Sequence, residues 1–360
     1  MSRLPDGARG DAEAIACFRG VTARGLAEVS DDPRALDGGG WWAVVIDFEG
    51  RSTFARFEAV EFRNDEAVAV PPAPWPGTPL DSWTSSMTHD EYVNGVEAVR
   101  ARIAVGDVYQ VNLCRMLSAP VPSDVTDLLG LGRALAREHP APFGGVISLP
   151  GAGVHVACAS PELFLRRDGA TVTSSPIKGT ARVLAEMLDK DVAENVMIVD
   201  LVRNDLGRVC ATGNVHVDAL LAVEHHPGLV HLVSTVSGQL RPDAGWPQLL
   251  DATFPPGSVS GAPKSSALQA IADLEPAPRG PYCGAVGWVD ADRQQAELAV
   301  GIRSFFLDLS QKAPQLRFGT GAGITWGSDP ELEWAETVLK ADRLLQVAAT
   351  EVPAKTEEQS

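Results

Sequence analysis

The stretch SSPIKGTARV (Ser174–Val183) sets Lys178 between the stiff, apolar Ile177 and Gly179. The two serines and Pro176 suggest a chain leaving a strand, and Gly179 suggests a sharp bend just after the lysine. A lysine so placed is either a solvated surface charge, the usual fate of this residue type, or a nucleophile at the edge of a pocket. Glu162, in SPELF, stands 16 residues earlier, with strand-like sequence and a turn-prone Arg-Asp-Gly between. A hairpin would bring carboxyl and amine together as an acid–nucleophile pair if both were partly desolvated. A structural salt bridge is the alternative and, on spacing alone, the plainer one.

Two further pairs of carboxylates are spaced to share helix faces. Asp191 and Glu194 lie at i and i+3, as do Glu333 and Glu336, and Lys340 follows Glu336 by four. Converging from two helices, these groups would suit a hard cation such as Mg2+, which takes oxygen ligands. The plain reading is two solvated faces and an ordinary Glu336–Lys340 pair. In FGTGAGITWG, Gly321 and Gly323 would let backbone N–H groups approach an oxyanion. The third glycine and the directly following helix of a dinucleotide fingerprint are missing. PPGSVSGAPK offers loop amides and hydroxyls, Ser258 among them, before a helix start that would accept Pro263 at its first position. It resembles a phosphate-binding loop in composition only. His225, His226 and His231 lack metal-ligand spacing, and His231 reads as a core histidine in a strand.

The elements that must carry these residues are legible in part. THDEYVNGVEAVRARIAVGD has Tyr92, Val96, Val99 and Ile103 on one helical face and closes at Gly106. MLDKDVAENVMIVDLVRNDLGRVC has a longer stripe of Leu188, Val192, Val196, Val199, Val202 and Leu206. PELEWAETVLKADRLLQVA predicts a last long helix and SSALQAIADLEP a shorter one. WWAVVIDFEG and RSTFARFEAVEF read as a hairpin; VYQVNLCRML, FGGVISLP, VHVACAS, LFLRR, ATVTSS, GAVGWVDA, AELAVGIRSFFLDL and LRFGTGAGIT read as strands. The proline-rich VPPAPWPGTP reads as a linker. Strands and helices alternate without βαβ regularity, so the expected class is α+β. The expected organisation is a β-rich part over 1–85, a main body over 86–348 and a disordered tail over 349–360.

The net charge of −17 and pI near 4.8 argue against nucleic-acid or anionic-membrane partners. No signal-like or membrane-spanning apolar run stands out. The five cysteines form no CxxC, which fits a reducing cytoplasm without a disulfide framework.

AENVMIVDLVRNDLGRVC, HLVSTVSG, GSVSGAPK, RGPYCGAVGW and FGTGAGIT…DPELEWAET, in this order, resemble the chorismate-utilising enzymes over about residues 88–345. That family includes the anthranilate, aminodeoxychorismate, isochorismate and salicylate synthases. The resemblance implies two large β-sheets packed face to face with helices outside, completed by the first 85 residues. It implies that Glu194 and Glu336 bind Mg2+ with Asp191 and Glu333 beside them, the ion clamping the ring carboxylate of chorismate. It assigns Tyr282, Arg303 and the backbone at Gly321 and Gly323 to the enolpyruvyl carboxylate. Thr180, His231 and Lys340 become further substrate-binding positions.

The resemblance also separates reactions. Members that activate water have a lysine where this chain has Gln110, and anthranilate synthases have PIAGT where this chain has PIKGT. The lysine form resembles aminodeoxychorismate synthase component I. Lys178, as the neutral amine, would attack C2 of chorismate while protonated Glu162 helps the C4 hydroxyl leave; ammonia then adds at C4 and Lys178 departs. No Gly-x-Cys-x-Gly-type elbow occurs, so the ammonia is expected from a separate glutamine amidotransferase subunit or from free ammonium. Anthranilate synthase component I, a secondary-metabolite aminodeoxychorismate synthase and a non-catalytic chorismate-binding subunit are the competing readings.

Overall fold

The computed structural model describes residues 13–64, 67–181, 183–184, 189–226, 229–310 and 313–353. The first third of the chain carries β1 (Ile15–Phe18), β2 (Val21–Ser30), β3 (Trp41–Ile46), β4 (Ser52–Phe62), β5 (Thr84–Ser85), α1 (His89–Ala104) and β6 (Gln110–Pro120). The middle carries α2 (Leu129–Glu138), β7 (Phe143–Leu149), β8 (Val154–Ser160), β9 (Leu163–Asp168), β10 (Thr171–Ser175), β11 (Ile177–Ala181), α3 (Asp189–Gly207), β12 (Cys210–His226) and β13 (Leu229–Leu240). Then follow α4 (Trp246–Thr253), β14 (Gly261–Ala262), α5 (Lys264–Leu274), β15 (Ala285–Asp290), β16 (Gln295–Val300), β17 (Ser304–Asp308), β18 (Gln315–Ile324) and α6 (Pro330–Ala349).

Antiparallel pairing runs from β12 through β13, β10, β9, β16, β15, β3, β4, β2, β1, β7, β8, β17 and β18 to β6. The two expected layers are therefore joined edge to edge, through β2–β1–β7, into one array. Its halves share a core. Trp42, Phe54, Val286 and Leu298 from one half cluster with Met116, Ile147 and Val156 from the other. The class is α+β, as expected. Strands β1 to β4 occupy the middle of the array, while β5 pairs with β6 at its end.

The helices begin where local chemistry predicts. At α1, the Thr88 N–H donates to Glu91 Oε2 at 2.7 Å and the Glu91 N–H donates to Thr88 Oγ1 at 3.3 Å, a capping box. Tyr92, Val96 and Val99 are fully buried beneath it, each contributing roughly 1.5–3 kcal/mol. Asp329 caps α6 by accepting from the N–H groups of Glu331 and Leu332. Pro263 flanks α5 as its N-cap, one residue before the position expected.

Three expectations are corrected. On α3, Val192 and Val196 are exposed, and the buried position between them is Asn195. Its amide donates to Leu232 O at 3.0 Å and accepts from the Ser234 hydroxyl, so polar packing displaces the valine stripe there. The proline-rich stretch is strapped to α6 rather than loose: Trp75 is buried and donates Nε1–H to Ala348 O at 2.7 Å. Val352 is buried and exchanges two 2.8 Å backbone bonds with Trp75, so the tail expected from residue 349 is packed at its start; residues 354–360 lie outside the described residues.

Candidate active site

Lys178 lies on β11, where the strand is broken. Pairing with β13 shifts register between Ile177↔Val233 and Thr180↔His231, and Gly179 takes φ +85°. That left-handed turn is open to glycine and strained for most other residues, and it explains the predicted bend. The half-buried lysine side chain donates from Nζ to Ser258 O at 2.8 Å, tying β11 to the loop before β14. The β9–β10 hairpin forms as expected, with Leu163 opposite Ser175. It brings Glu162, immediately before β9, within electrostatic reach of Lys178.

Glu162 is buried, at 5% exposure. Burial pushes its pKa up from the ordinary carboxyl value, although Ser258, Lys178, the Ile177 N–H and Lys340 all favour its charged form. Desolvation outweighs four favourable neighbours, so the group is biased toward the protonated acid. Glu162 and Ser258 also line a cavity that extends to Asp205, Thr253 and Leu206.

The single strand expected in AELAVGIRSFFLDL is divided into β16 and β17 at Gly301–Arg303, where Arg303 has φ +52°. This break has a consequence for β18. On one side β6 pairs with β18 as far as Ile324, whereas β17 pairs no further than Phe318. The backbone of Gly319–Gly323 is thereby released from β17, and Lys340 reaches in to donate to Gly321 O at 3.0 Å. Unpaired strand backbone beside an arginine is an apt receptor for a carboxylate.

The missing Cβ atoms of Gly319, Gly321 and Gly323 are replaced by packed neighbours. Added carbons there would meet the Tyr282 ring at 2.1 Å, Cys114 Sγ at 2.6 Å and Gln110 Nε2 at 2.4 Å, respectively. Tyr282 is therefore a buried wall under β18, its hydroxyl 3.8 Å from Cys114 Sγ. Gly321→Ala is expected to lose about 1–3 kcal/mol by overpacking, because the Leu113 carbonyl at 2.7 Å is backbone and cannot swing aside. Urea denaturation of the variant measures this directly.

Glu194, on α3, accepts from Gln110 Nε2 at 3.3 Å, and its Oε2 lies 3.3 Å from where a Gly323 Cβ would stand. Glu336, on α6, pairs with Lys340 at 2.7 Å beside Gly321. These two carboxylates thus bracket the same short stretch of β18. Their oxygen-only chemistry fits Mg2+. Glu333 is buried and accepts from the Ser328 hydroxyl at 2.6 Å. His231 is buried opposite Thr180 and Glu224 on neighbouring strands. Thr180 and Asp191 lie on β11 and α3; their side chains fall outside the described residues.

Two groups went unnoticed in the sequence. Arg279 is 1% exposed and pairs with Glu275 at 2.6 Å; it also donates to Val259 O at 2.8 Å and Asn112 O at 2.7 Å. It pins the Ser258 loop and β6 to α5, beneath the site. Its motif, RGPYCGAVGW, was visible, but nothing local marks a buried arginine. The other group is His139, whose Nε2 lies 3.4 Å from Arg303 Nη1.

The model of the chorismate binding enzymes matches residues 52–346. Anthranilate synthase component 1 of Streptomyces coelicolor is 38% identical over 299 residues, covering 77% of this chain and 57% of that one. An aminodeoxychorismate synthase of Streptomyces pristinaespiralis is 42% identical over 264 residues, covering 69% and 35%. The chain thus spans between about a third and little more than half of the length of these curated relatives. The crystal structure of anthranilate synthase component I from Streptococcus pneumoniae superposes with a TM-score of 0.73 at 25% identity, over 94% of this chain and 91% of that one. No helix among the described residues is long and apolar enough to cross a membrane. With the motifs, the fold and the family model in agreement over most of its length, the chain belongs to the chorismate binding enzyme family.

Proposed function

We propose that the chain is an aminodeoxychorismate synthase component I, converting chorismate and ammonia to 4-amino-4-deoxychorismate for p-aminobenzoate and folate synthesis. The observation that carries this reading is that Lys178, bonded to Ser258 O, lies within electrostatic reach of buried Glu162, while Gln110 donates to Glu194.

Arg303 and the released backbone of Gly321 and Gly323 would hold one carboxylate of the dianionic substrate. Glu194 and Glu336, with Asp191 and Glu333 nearby in sequence, would hold Mg2+, which supplies charge neutralisation for the other carboxylate. Lys340 must leave Glu336 when that happens, and its bond to Gly321 O gives it a second anchor. Lys178 attacks C2 as the neutral amine. Glu162, biased toward its protonated form by burial, donates to the departing C4 hydroxyl. Gln110 has neither a basic nitrogen nor a charge with which to activate water, which favours added ammonia as the final nucleophile. Two displacements then replace one difficult step. A glutamine amidotransferase subunit is the proposed ammonia source, and the "component 1" naming of relatives supports a partner.

Relatives named anthranilate synthase favour a second reading, in which pyruvate is eliminated. Against it stands the amine of Lys178 in PIKGT, where the family resemblance implies the alanine of PIAGT for that activity. Incubation with chorismate, Mg2+ and ammonium under a pyruvate-coupled assay distinguishes them: no pyruvate is expected, and stoichiometric pyruvate would favour the second reading.

A further inference from the structure

His139 ends α2, its N–H bonded to Leu135 O at 2.8 Å. Its Nε2 stands 3.4 Å from Arg303 Nη1. A guanidinium has no acceptor, so the imidazole must accept at Nε2 and carry its proton on Nδ1. Burial, reinforced by the charges of Arg303 and Arg343, pushes its pKa down to about 4, which keeps the ring neutral. Arg343 is committed elsewhere, donating from Nη2 to Glu138 O at 3.2 Å. Arg303 is constrained from the backbone side as well. Its φ is +52° and its carbonyl accepts from the Ala159 N–H at 3.0 Å.

We infer that His139 is a positioning residue for the reaction: it holds the guanidinium of Arg303 through a neutral acceptor and leaves the remaining N–H groups of that arginine for the substrate carboxylate. An acidic residue in the same place would hold the guanidinium equally well but would neutralise it against an anionic ligand. A cation would repel it. A neutral nitrogen fixes direction and spends no charge. The inference rests on the reading of Arg303 as a carboxylate holder.

The test is steady-state kinetics with chorismate, Mg2+ and ammonium on the full chain, for His139→Ala, His139→Gln, Arg303→Ala and the double Ala variant, each with a melting curve. His139→Ala is expected to raise KM for chorismate by roughly 10-fold, the scale of one hydrogen bond to a charged group, with kcat changed much less. His139→Gln, which keeps a neutral acceptor, is expected to recover most of that loss. In the Arg303→Ala background the His139 change is expected to add nothing. The inference is overturned if His139→Ala leaves KM within twofold of the parent while Arg303→Ala raises it. An effect that persists undiminished without Arg303, or a folded His139→Gln no better than alanine, overturns it equally. If Arg303→Ala itself leaves KM unchanged, the assignment of Arg303 fails first, and this inference falls with it.

Discussion

Lys178→Ala is expected to lower turnover of chorismate by about 10³-fold or more, on the order of 4 kcal/mol of barrier. Lys178 carries the amine of β11, and its immediate neighbours, Ile177 and Gly179, supply no nucleophile. Removing it also leaves Ser258 O without its 2.8 Å donor, at a cost of about 1–3 kcal/mol in stability where that carbonyl is kept from water. Lys178→Arg keeps a donor and a charge near Ser258 but has no neutral amine to attack with. Folding loss and chemical loss are thus separable: the arginine variant is expected to melt close to the parent and remain inactive. Chorismate consumption measured beside a melting curve checks both. Unchanged turnover in Lys178→Ala would falsify the covalent role.

Glu162→Gln is expected to cost about 10²–10⁴-fold in kcat, the usual contribution of a positioned general acid. The same substitution is expected to stabilise the fold at neutral pH. Burial raises the pKa of Glu162 in the folded state above its reference value of 4.5. The folded protein therefore binds more protons at this group than the unfolded chain does. Its contribution to stability is fully present below 4.5 and declines as pH rises through the folded value. Glutamine has no such loss. The melting advantage of the variant should appear near neutral pH and vanish below about pH 4.5. An inactive variant with a pH-independent melting difference would assign Glu162 a packing role instead.

Much of the frame was legible because its signals are local. α1, α5, α6 and most of the strands follow from apolar spacing and caps that tertiary contacts reinforce. The unanticipated α2 illustrates the opposite case. Gly130 and Gly132 weaken the helical reading of LGLGRALARE, yet both are required by close packing. Added Cβ atoms would meet Pro74 O at 2.4 Å and Val146 Cγ2 at 2.1 Å. β12 was missed because three register shifts and a left-handed Leu221 interrupt its alternation.

The site was legible through its motifs and not through its geometry. Glu162 and Lys178 sit at the ends of a hairpin whose turn could be read. The division of β16 from β17 at Arg303 could not. Nothing in AELAVGIRSFF marks a left-handed arginine, and that kink is what releases the β18 glycines from their neighbour. His139 was invisible because its partner lies 164 residues away; Arg279 stands only four residues from Glu275, but in the loop after α5, where no periodicity reports its burial.

The most direct test of the account is mass spectrometry of the product formed from chorismate, Mg2+ and ammonium by the parent enzyme. The account predicts 4-amino-4-deoxychorismate, with the enolpyruvyl group retained and its formation lost in Lys178→Ala. Anthranilate accompanied by pyruvate, or an aminodeoxychorismate formed equally well without Lys178, would contradict it.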